Sequence, residues 1–411
     1  MIRVVSVLPE LNLGGGENRV LNLARAIDRS RFRHTVVTLY APHQENHGPW
    51  GSLRRQFDQA GVEVIDLGIA HPVTVKAPRP VKLVSTAGTL ASAIARLGKL
   101  IVSSGAQLVD AHLEAALYTA VVAAAGVRVP STITLYSELD FWRLFDRGLN
   151  RIVFPPLRRF GLRRCARIFT DSKARADDLR RFIGPAAPPV HVIPNGVRLD
   201  RPARPRGEVL ASLGVDPATR ATIVGQIAGL VPFKGQAVLL DAARRVIGEE
   251  HDLVVLCIGE ARLGPEYPAQ LREQARRLGI ADRVVIQSYP GNIADVWNVI
   301  DVHVHASAVD SLPNAILEGM SLGKPAVVTS VGAVPEHVED GRTGLVVPPG
   351  DPAALATALL RLLGDRELAE RLGTAARQRY QQRFTPEVTA RQVEQVFEEI
   401  VTSGRRRVEV A

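Results

Sequence analysis

The chain has 411 residues, 46% hydrophobic and 23% charged, the balance of an ordinary globular protein with two domains or three. That balance excludes disorder or low-complexity repeats as the main organisation, and an aromatic share of 5% argues against a stacking platform for single-stranded nucleic acid. The net charge is +9, but 45 of the 51 basic residues are arginine, so where the charge sits is more telling than its total.

A short apolar strand opens the chain at 2–8, and Pro9-Glu10 follows before any cleavage-like site, so the N-terminus does not read as a signal peptide. Gly14-Gly15-Gly16-Glu17 then leads into a helix with Val20, Leu23, Ala24 and Ile27 on one face. Glycines there allow close backbone approach to a ligand, and a helix N-terminus favours anions; a flexible turn is the equal alternative. The run is neither a G-x-G-x-x-G fingerprint nor a Walker motif. Further strands are expected at 34–40, 62–67, 107–112, 132–136, 167–172 and 190–194. They are nearly continuous in Val, Ile and Leu, which suits parallel strands buried on both faces. His112 ends one of them with Glu114 two residues on, but no histidine spacing here matches a metal site.

The longest apolar run, 115–127, has 13 residues, whereas crossing a bilayer takes about 20. Two cysteines, Cys165 and Cys257, make neither a disulfide framework nor a zinc site by themselves. Cytoplasm is the expected compartment. The stretch that starts at Phe141 and ends at Thr170 carries eight arginines against one acid, Asp146. So local a charge points to an anionic acceptor or an anionic membrane surface, at which Phe141, Trp142, Phe145, Phe154 and Phe160 could insert. The competing reading is a solvated helix pair with its aromatics packed inward, since Pro155-Pro156 interrupts any long amphipathic helix.

The proline-rich, basic run 201–207 reads as a linker. Beyond it, strands are expected at 222–227, 253–259, 283–288, 302–305, 326–329 and 345–347, with a helix starting at Asp351-Pro352. This alternation predicts α/β architecture: two doubly wound domains, 1–196 and 197–385, facing each other across a cleft. The amphipathic stretch 386–411, with Val388, Val393, Val396 and Phe397, is expected to pack back on the first domain. Ligands of such sheets bind beyond the carboxyl ends of the strands.

Two segments of the second half carry chemistry. Residues 229–235 read G-L-V-P-F-K-G, placing Lys234, one of six lysines, where it can contact a phosphate. Residues 310–318 read D-S-L-P-N-A-I-L-E. A helix starting near Pro313-Asn314 turns the N–H groups of Asn314 and Ala315 toward an anion. Glu318, a turn further in, can accept from two ribose hydroxyls, and Asp310 can hold a sugar hydroxyl; an ordinary acidic helix start is the alternative. His303 and His305 share a strand face and read as buried, satisfied histidines. No Gly-x-Ser-x-Gly elbow or Cys/His nucleophile context is present.

In order along the chain stand Gly14-Gly15-Gly16-Glu17, Val192-Ile193-Pro194-Asn195-Gly196-Val197 and Lys234-Gly235. Asp310 and Glu318-Gly319-Met320 follow, then Gly332-Ala333-Val334-Pro335-Glu336 and the run from Asp340-Gly341 to Gly350-Asp351. With these motifs the chain resembles the retaining GT-B glycosyltransferases of family 4 over nearly its whole length. The resemblance implies that the second domain binds a nucleoside-diphosphate sugar, UDP- or GDP-linked, with no metal and no further cofactor. Lys234 would neutralise the diphosphate. Asn314 and Ala315 would hold the distal phosphate and sugar, Glu318 the ribose, and Asp310 a hydroxyl of the transferred sugar. Lys234, Asp310 and Glu318 are thereby the catalytic candidates, and Gly15 and Gly16 would close near the phosphates. Glu17, His112 and Tyr136 are the acceptor-side candidates, for a saccharide or lipid-linked acceptor. Such enzymes commonly serve polysaccharide or glycolipid assembly.

Three positions depart from the family's pattern. Asp310 stands where Glu is usual, Ala228-Gly229-Leu230 where Gly-Arg-Leu is usual, and Tyr136 where a strand often ends in histidine. They leave two other readings: a nucleotide-sugar epimerase on the same fold, and a non-catalytic nucleotide-sugar-binding subunit. A dehydrogenase lacks its dinucleotide fingerprint here, and nucleic-acid binding lacks a recognition motif.

Overall fold

The computed structural model describes residues 1–12, 14–40, 53–69, 79–135, 150–249, 252–261 and 263–409. They form two compact units, Met1–Gly196 with Pro386–Ala411, and Val197–Thr385.

The first unit is built on a seven-stranded sheet of order β3-β2-β1-β4-β5-β6-β7. The strands are β1 (Ile2–Leu8), β2 (Phe32–Tyr40), β3 (Glu63–Ile69), β4 (Leu108–His112), β5 (Ser131–Thr134), β6 (Arg167–Thr170) and β7 (Val190–Val192). Every pairing is parallel. Parallel pairing needs crossovers, and the helices that supply them cover both faces, which is why strands such as β4 are buried at every position. One face packs Val5, Val7, Val37, Val109 and Ile133 under the helices Arg79–Ser104 and Leu113–Gly126. On the other lie the helix Gly15–Ala26 and the last helix, Pro386–Glu409. That last helix sets Ala390, Val393, Val396, Phe397 and Ile400 against Val4, Leu23, Ile27, Phe32 and Phe169. Phe397 meets Phe32 and Phe169 edge-on, with ring centroids 6.4 and 6.2 Å apart.

The second unit repeats the plan with six strands in the order β10-β9-β8-β11-β12-β13. They are β8 (Thr222–Ile227), β9 (Leu253–Ile258), β10 (Val284–Gln287), β11 (Val302–His305), β12 (Ala326–Thr329) and β13 (Leu345–Val347), again all parallel. Asp351 caps the helix Pro352–Gly364, accepting from Ala353 N and Ala354 N at 2.9 Å. In each sheet the strand order reverses beside the first strand, between β1 and β4 and between β8 and β11. Ligands gather at the carboxyl ends of such reversal points.

Two local expectations need correcting. The run 201–207 is not all linker, because a helix, Arg206–Ser212, begins inside it and buries Val209 and Leu210. Ahead of that helix, Ala203 N and Arg204 N donate to the buried Asp295 carboxylate at 2.6 and 3.1 Å, which fixes the chain without regular structure. Pro155 and Pro156 do not break the helix Asn150–Arg164, which runs through both. Packing holds it: Leu162 is fully buried, and Arg158 pairs with Glu114.

Candidate functional site

A polar cluster of the second unit lies where β8 and β11 end. After β8 the chain makes a tight turn, Pro232–Lys234, and Gly235 follows in the left-handed region at φ 72°. A Cβ on Gly235 would stand 2.0 Å from the Ala306 carbonyl oxygen, so only glycine lets the turn lie on the chain leaving β11. Two bonds stitch the segments: Ala308 N and Ser307 Oγ donate to the Phe233 carbonyl at 2.8 and 3.0 Å. Gln226, fully buried in β8, donates to the Lys234 carbonyl at 2.6 Å. The ammonium of Lys234 is thereby aimed at Asp310, with which it forms an ion pair. His305 Nε2 lies 2.9 Å from the same carboxylate oxygen.

Burial by itself would raise the Asp310 carboxyl. The His305 hydrogen bond and charge, with those of Lys234, outweigh it and hold the group well below its ordinary 3.8. The paired carboxylate stabilises the fold at any pH above its unfolded value, and that contribution is lost only as pH falls through the depressed folded one.

Pro313 caps the helix Asn314–Ser321 with φ −63° and ψ 132° and brings no side-chain acceptor. The first turn therefore presents Asn314 and Ala315 at the end of a helix dipole. One turn on, the half-buried Glu318 accepts from Trp297 Nε1 at 2.8 Å through Oε2. Burial raises its carboxyl above the ordinary 4.5, against the opposing pull of the indole bond.

The second unit thus brings together Lys234 with Asp310, and sets Asn314, Ala315 and Glu318 on the helix that begins four residues after Asp310. Two residues of this neighbourhood, His305 and Trp297, were not foreseen as site residues. His305 had a signal, since it shares a face with His303 and stands five residues before Asp310. Trp297 had none beyond being a tryptophan in a short amphipathic helix. His303 is buried as expected but not satisfied, for neither ring nitrogen has a hydrogen-bond partner among the described residues.

In the first unit, Gly14 caps the helix Gly15–Ala26, which opens with Gly15, Gly16 and Glu17. The Glu17 carboxylate folds back so closely that a Cβ on Gly14 would lie 2.1 Å from its Oε2. From the same helix, Arg19 donates to the Ile193 carbonyl at 2.8 Å and to Asn195 Oδ1 at 3.0 Å, and Asn22 donates to the Gly196 carbonyl. The Pro194-Asn195-Gly196 motif is therefore the chain's anchor on the glycine-opened helix. His112 is buried, with Nε2 2.7 Å from Asp110 Oδ2, in a network that also takes in Ser6, His34 and Thr132. Its neighbour Leu113 has φ 66°, a strained value for a branched residue, as β4 turns into its helix. Tyr136 lies outside the described residues, as do Phe141, Trp142 and Phe145. Among the described residues no group of three or more His, Cys, Asp or Glu could hold a metal ion, and no helix is long and apolar enough to cross a membrane.

Known proteins match this architecture. The structure superimposes on that of Anabaena HepE in complex with UDP and glucose with a TM-score of 0.78, at 21% identity, over 97% of this chain and all of that one. Sucrose-phosphate synthase from Thermosynechococcus elongatus gives a TM-score of 0.76 at 19% identity over 98% of this chain and all of that one. These likenesses define the fold as GT-B. In sequence, residues 13–201 match Glycosyltransferase Family 4, and residues 219–365 match Glycosyl transferases group 1. The chain is 30% identical to alpha-maltose-1-phosphate synthase of Mycobacterium tuberculosis over 361 residues, 82% of this chain and 91% of that protein. It is 31% identical to D-inositol 3-phosphate glycosyltransferase of Streptomyces bingchenggensis over 252 residues, 58% of this chain but 54% of the relative, so it spans about half the length of that protein. The chain belongs to the group 1, family 4 glycosyltransferases.

Proposed function

We propose that this chain transfers a sugar from a nucleoside-diphosphate-sugar donor, UDP- or GDP-linked, to a saccharide or lipid-linked acceptor, with retention of anomeric configuration. The observation that carries the proposal is the Lys234–Asp310–His305 cluster at the β8/β11 reversal, beside the helix start at Asn314. Breaking the bond to the anomeric carbon leaves negative charge on the departing nucleoside diphosphate. Lys234 and the N–H groups of Asn314 and Ala315 are set to stabilise that charge, a task a divalent ion performs elsewhere. Asp310, kept ionised by its partners, is positioned to accept from a sugar hydroxyl, and Glu318 from the ribose. The glycine-opened helix of the first unit, with Gly15 and Gly16, is the second anion-facing element in this reading. In this reading Glu17 and His112 serve the acceptor side; both side chains are buried in the first unit. The relatives named for sugar transfer and the HepE structure holding UDP support a nucleotide-sugar donor.

The test is product analysis with UDP-glucose and GDP-mannose against an acceptor panel, run in EDTA. The expected result is acceptor-dependent transfer that persists in EDTA, with the product's one-bond C1–H1 coupling showing the anomeric configuration of the donor. An inverted product overturns retention, and activity restored only by a divalent ion overturns the metal-free reading. A rearranged or released sugar without an acceptor would favour the epimerase alternative, and tight nucleotide binding without turnover the non-catalytic one.

The helix Asn150–Arg164 supports a place at an anionic membrane surface, in keeping with polysaccharide or glycolipid assembly. Ile152, Leu157 and Phe160 are exposed there, and Arg164 lies over the Phe160 ring at 4.2 Å. Vesicles with anionic lipid are expected to sediment the protein, and Phe160→Asp with Arg164→Glu to reduce that binding at least several-fold. Equal binding to neutral and anionic vesicles contradicts this.

A further inference from the structure

Glu318 is held by a residue that the reading above does not use. Trp297 belongs to the helix Ile293–Val299 and is fully buried, yet its indole N–H reaches out of the core to Glu318 Oε2 at 2.8 Å. A buried indole donor needs a partner, and its partner here is a carboxylate on another helix. The ring has little freedom to do otherwise. His303 of β11 stands against it edge-on, with centroids 4.9 Å apart and planes at 71°. Burial, and next His305, push the His303 imidazole down to about 3, so the ring packs uncharged against the indole. Where the two rings meet stands Gly319, the residue after Glu318. A Cβ there would lie 3.0 Å from His303 Nδ1 and 3.2 Å from the edge of the indole, so the site helix rests directly on the two rings.

A glutamate has three rotatable side-chain bonds, and an unheld carboxylate loses that freedom only when ligand arrives. Here the indole occupies Oε2 and fixes the carboxylate plane before binding. A carboxylate offers about four acceptor positions, so Oε1 and the second lone pair of Oε2 stay available. We propose that Trp297 is a positioning residue: its N–H presets the Glu318 carboxylate to receive the vicinal hydroxyls of the donor's ribose. This rests on the reading of Glu318 as the ribose contact.

Trp297→Phe removes the N–H and keeps an aromatic ring in the core. Affinity is measured by calorimetry for UDP, GDP and ADP, and for the 2′,3′-dideoxy form of whichever binds wild type most tightly. Trp297→Phe is expected to lose about tenfold for the ribose form, the scale of one hydrogen bond, and nothing for the dideoxy form. At saturating donor, kcat is expected to stay near wild type while KM rises. A loss equal on both forms shows a merely structural role, and no loss on either shows that the indole does not position Glu318; each overturns the proposal. Glu318→Ala separates the layers. If it leaves ribose-form affinity intact, the ribose reading itself fails; if it abolishes the ribose preference and Trp297→Phe leaves that preference undiminished, only the positioning role fails. Should Trp297→Phe not fold, Trp50→Phe with Trp142→Phe leaves Trp297 as the sole indole for NMR. Its N–H resonance is expected to shift with the ribose form, to stay with the dideoxy form and to move in Glu318→Ala. A resonance indifferent to Glu318→Ala overturns the proposal.

Discussion

Lys234→Ala is expected to lower kcat/KM by about 10²–10³-fold, the cost of removing one preorganised group that meets developing charge. The loss should fall mainly on kcat, because the ammonium is worth most when charge moves onto the leaving diphosphate. Two features put this residue at the upper end. Where relatives usually place an arginine before the lysine, this chain has Ala228-Gly229, so no second cation comes from that position. The Lys234 side chain is also only 19% exposed, and a shielded charge acts through a lower effective dielectric. Removal takes away the Lys234 charge and hydrogen bond that help hold the half-buried Asp310 carboxyl low, which brings it back toward the ordinary range. Lys234→Arg should recover only part of the loss, since a planar fork does not replace a compact ammonium in this turn. Steady-state kinetics with saturating acceptor checks this; an alanine variant within threefold of wild type refutes the assignment.

Glu318→Ala should weaken donor binding by about 10–100-fold, the loss of one hydrogen bond to a charged acceptor at roughly 1.5–3 kcal/mol. The same residue predicts a pH dependence. Its carboxyl is raised above 4.5 by burial, so at mildly acidic pH part of it is protonated and cannot accept from both hydroxyls. Donor affinity should therefore fall as pH drops through that raised value. Glu318→Gln, which cannot titrate, should bind weakly and lose this limb. Calorimetry from neutral to acid pH reads both effects; an acid limb that persists in Glu318→Gln assigns it to another group.

Much of the fold was legible because parallel strands buried on both faces leave runs rich in Val, Ile and Leu, clearest in β9, which reads L-V-V-L-C-I. Boundaries were less so. Strand 132–136 was expected to reach Tyr136, and the described strand stops at Thr134. The run 201–207 concealed a helix start because prolines and arginines mask the two apolar residues, Val209 and Leu210, that anchor it. The Asn150–Arg164 helix defied its prolines for a tertiary reason, packing at Leu162 and the Arg158–Glu114 pair.

In the candidate site, residues joined by short spacing could be read directly. Asp310, Asn314 and Glu318 lie on one turn-and-helix segment, so their order sets their geometry. Contacts made across the sheet could not. The bond from Trp297 to Glu318 spans 21 positions, and the pairing of Lys234 with Asp310 spans 76. Sequence names such residues without saying which of them meet. Gly235 and Gly319 are the same case: each is glycine because of an atom brought from another element, the Ala306 carbonyl in one and the His303 ring in the other.

Binding of a nucleoside diphosphate at the β8/β11 edge of the second unit underlies the proposed function. It is tested most directly by a thermal-shift panel of UDP, GDP, ADP and NAD on wild type and Glu318→Ala. A ligand present at about 100 times its Kd adds roughly 2.7 kcal/mol of stability. A clear shift is expected with one nucleoside diphosphate and none with NAD, and in the variant that shift is expected to fall to about half or less. A shift with NAD alone, or an equal nucleoside-diphosphate shift in wild type and Glu318→Ala, would contradict it.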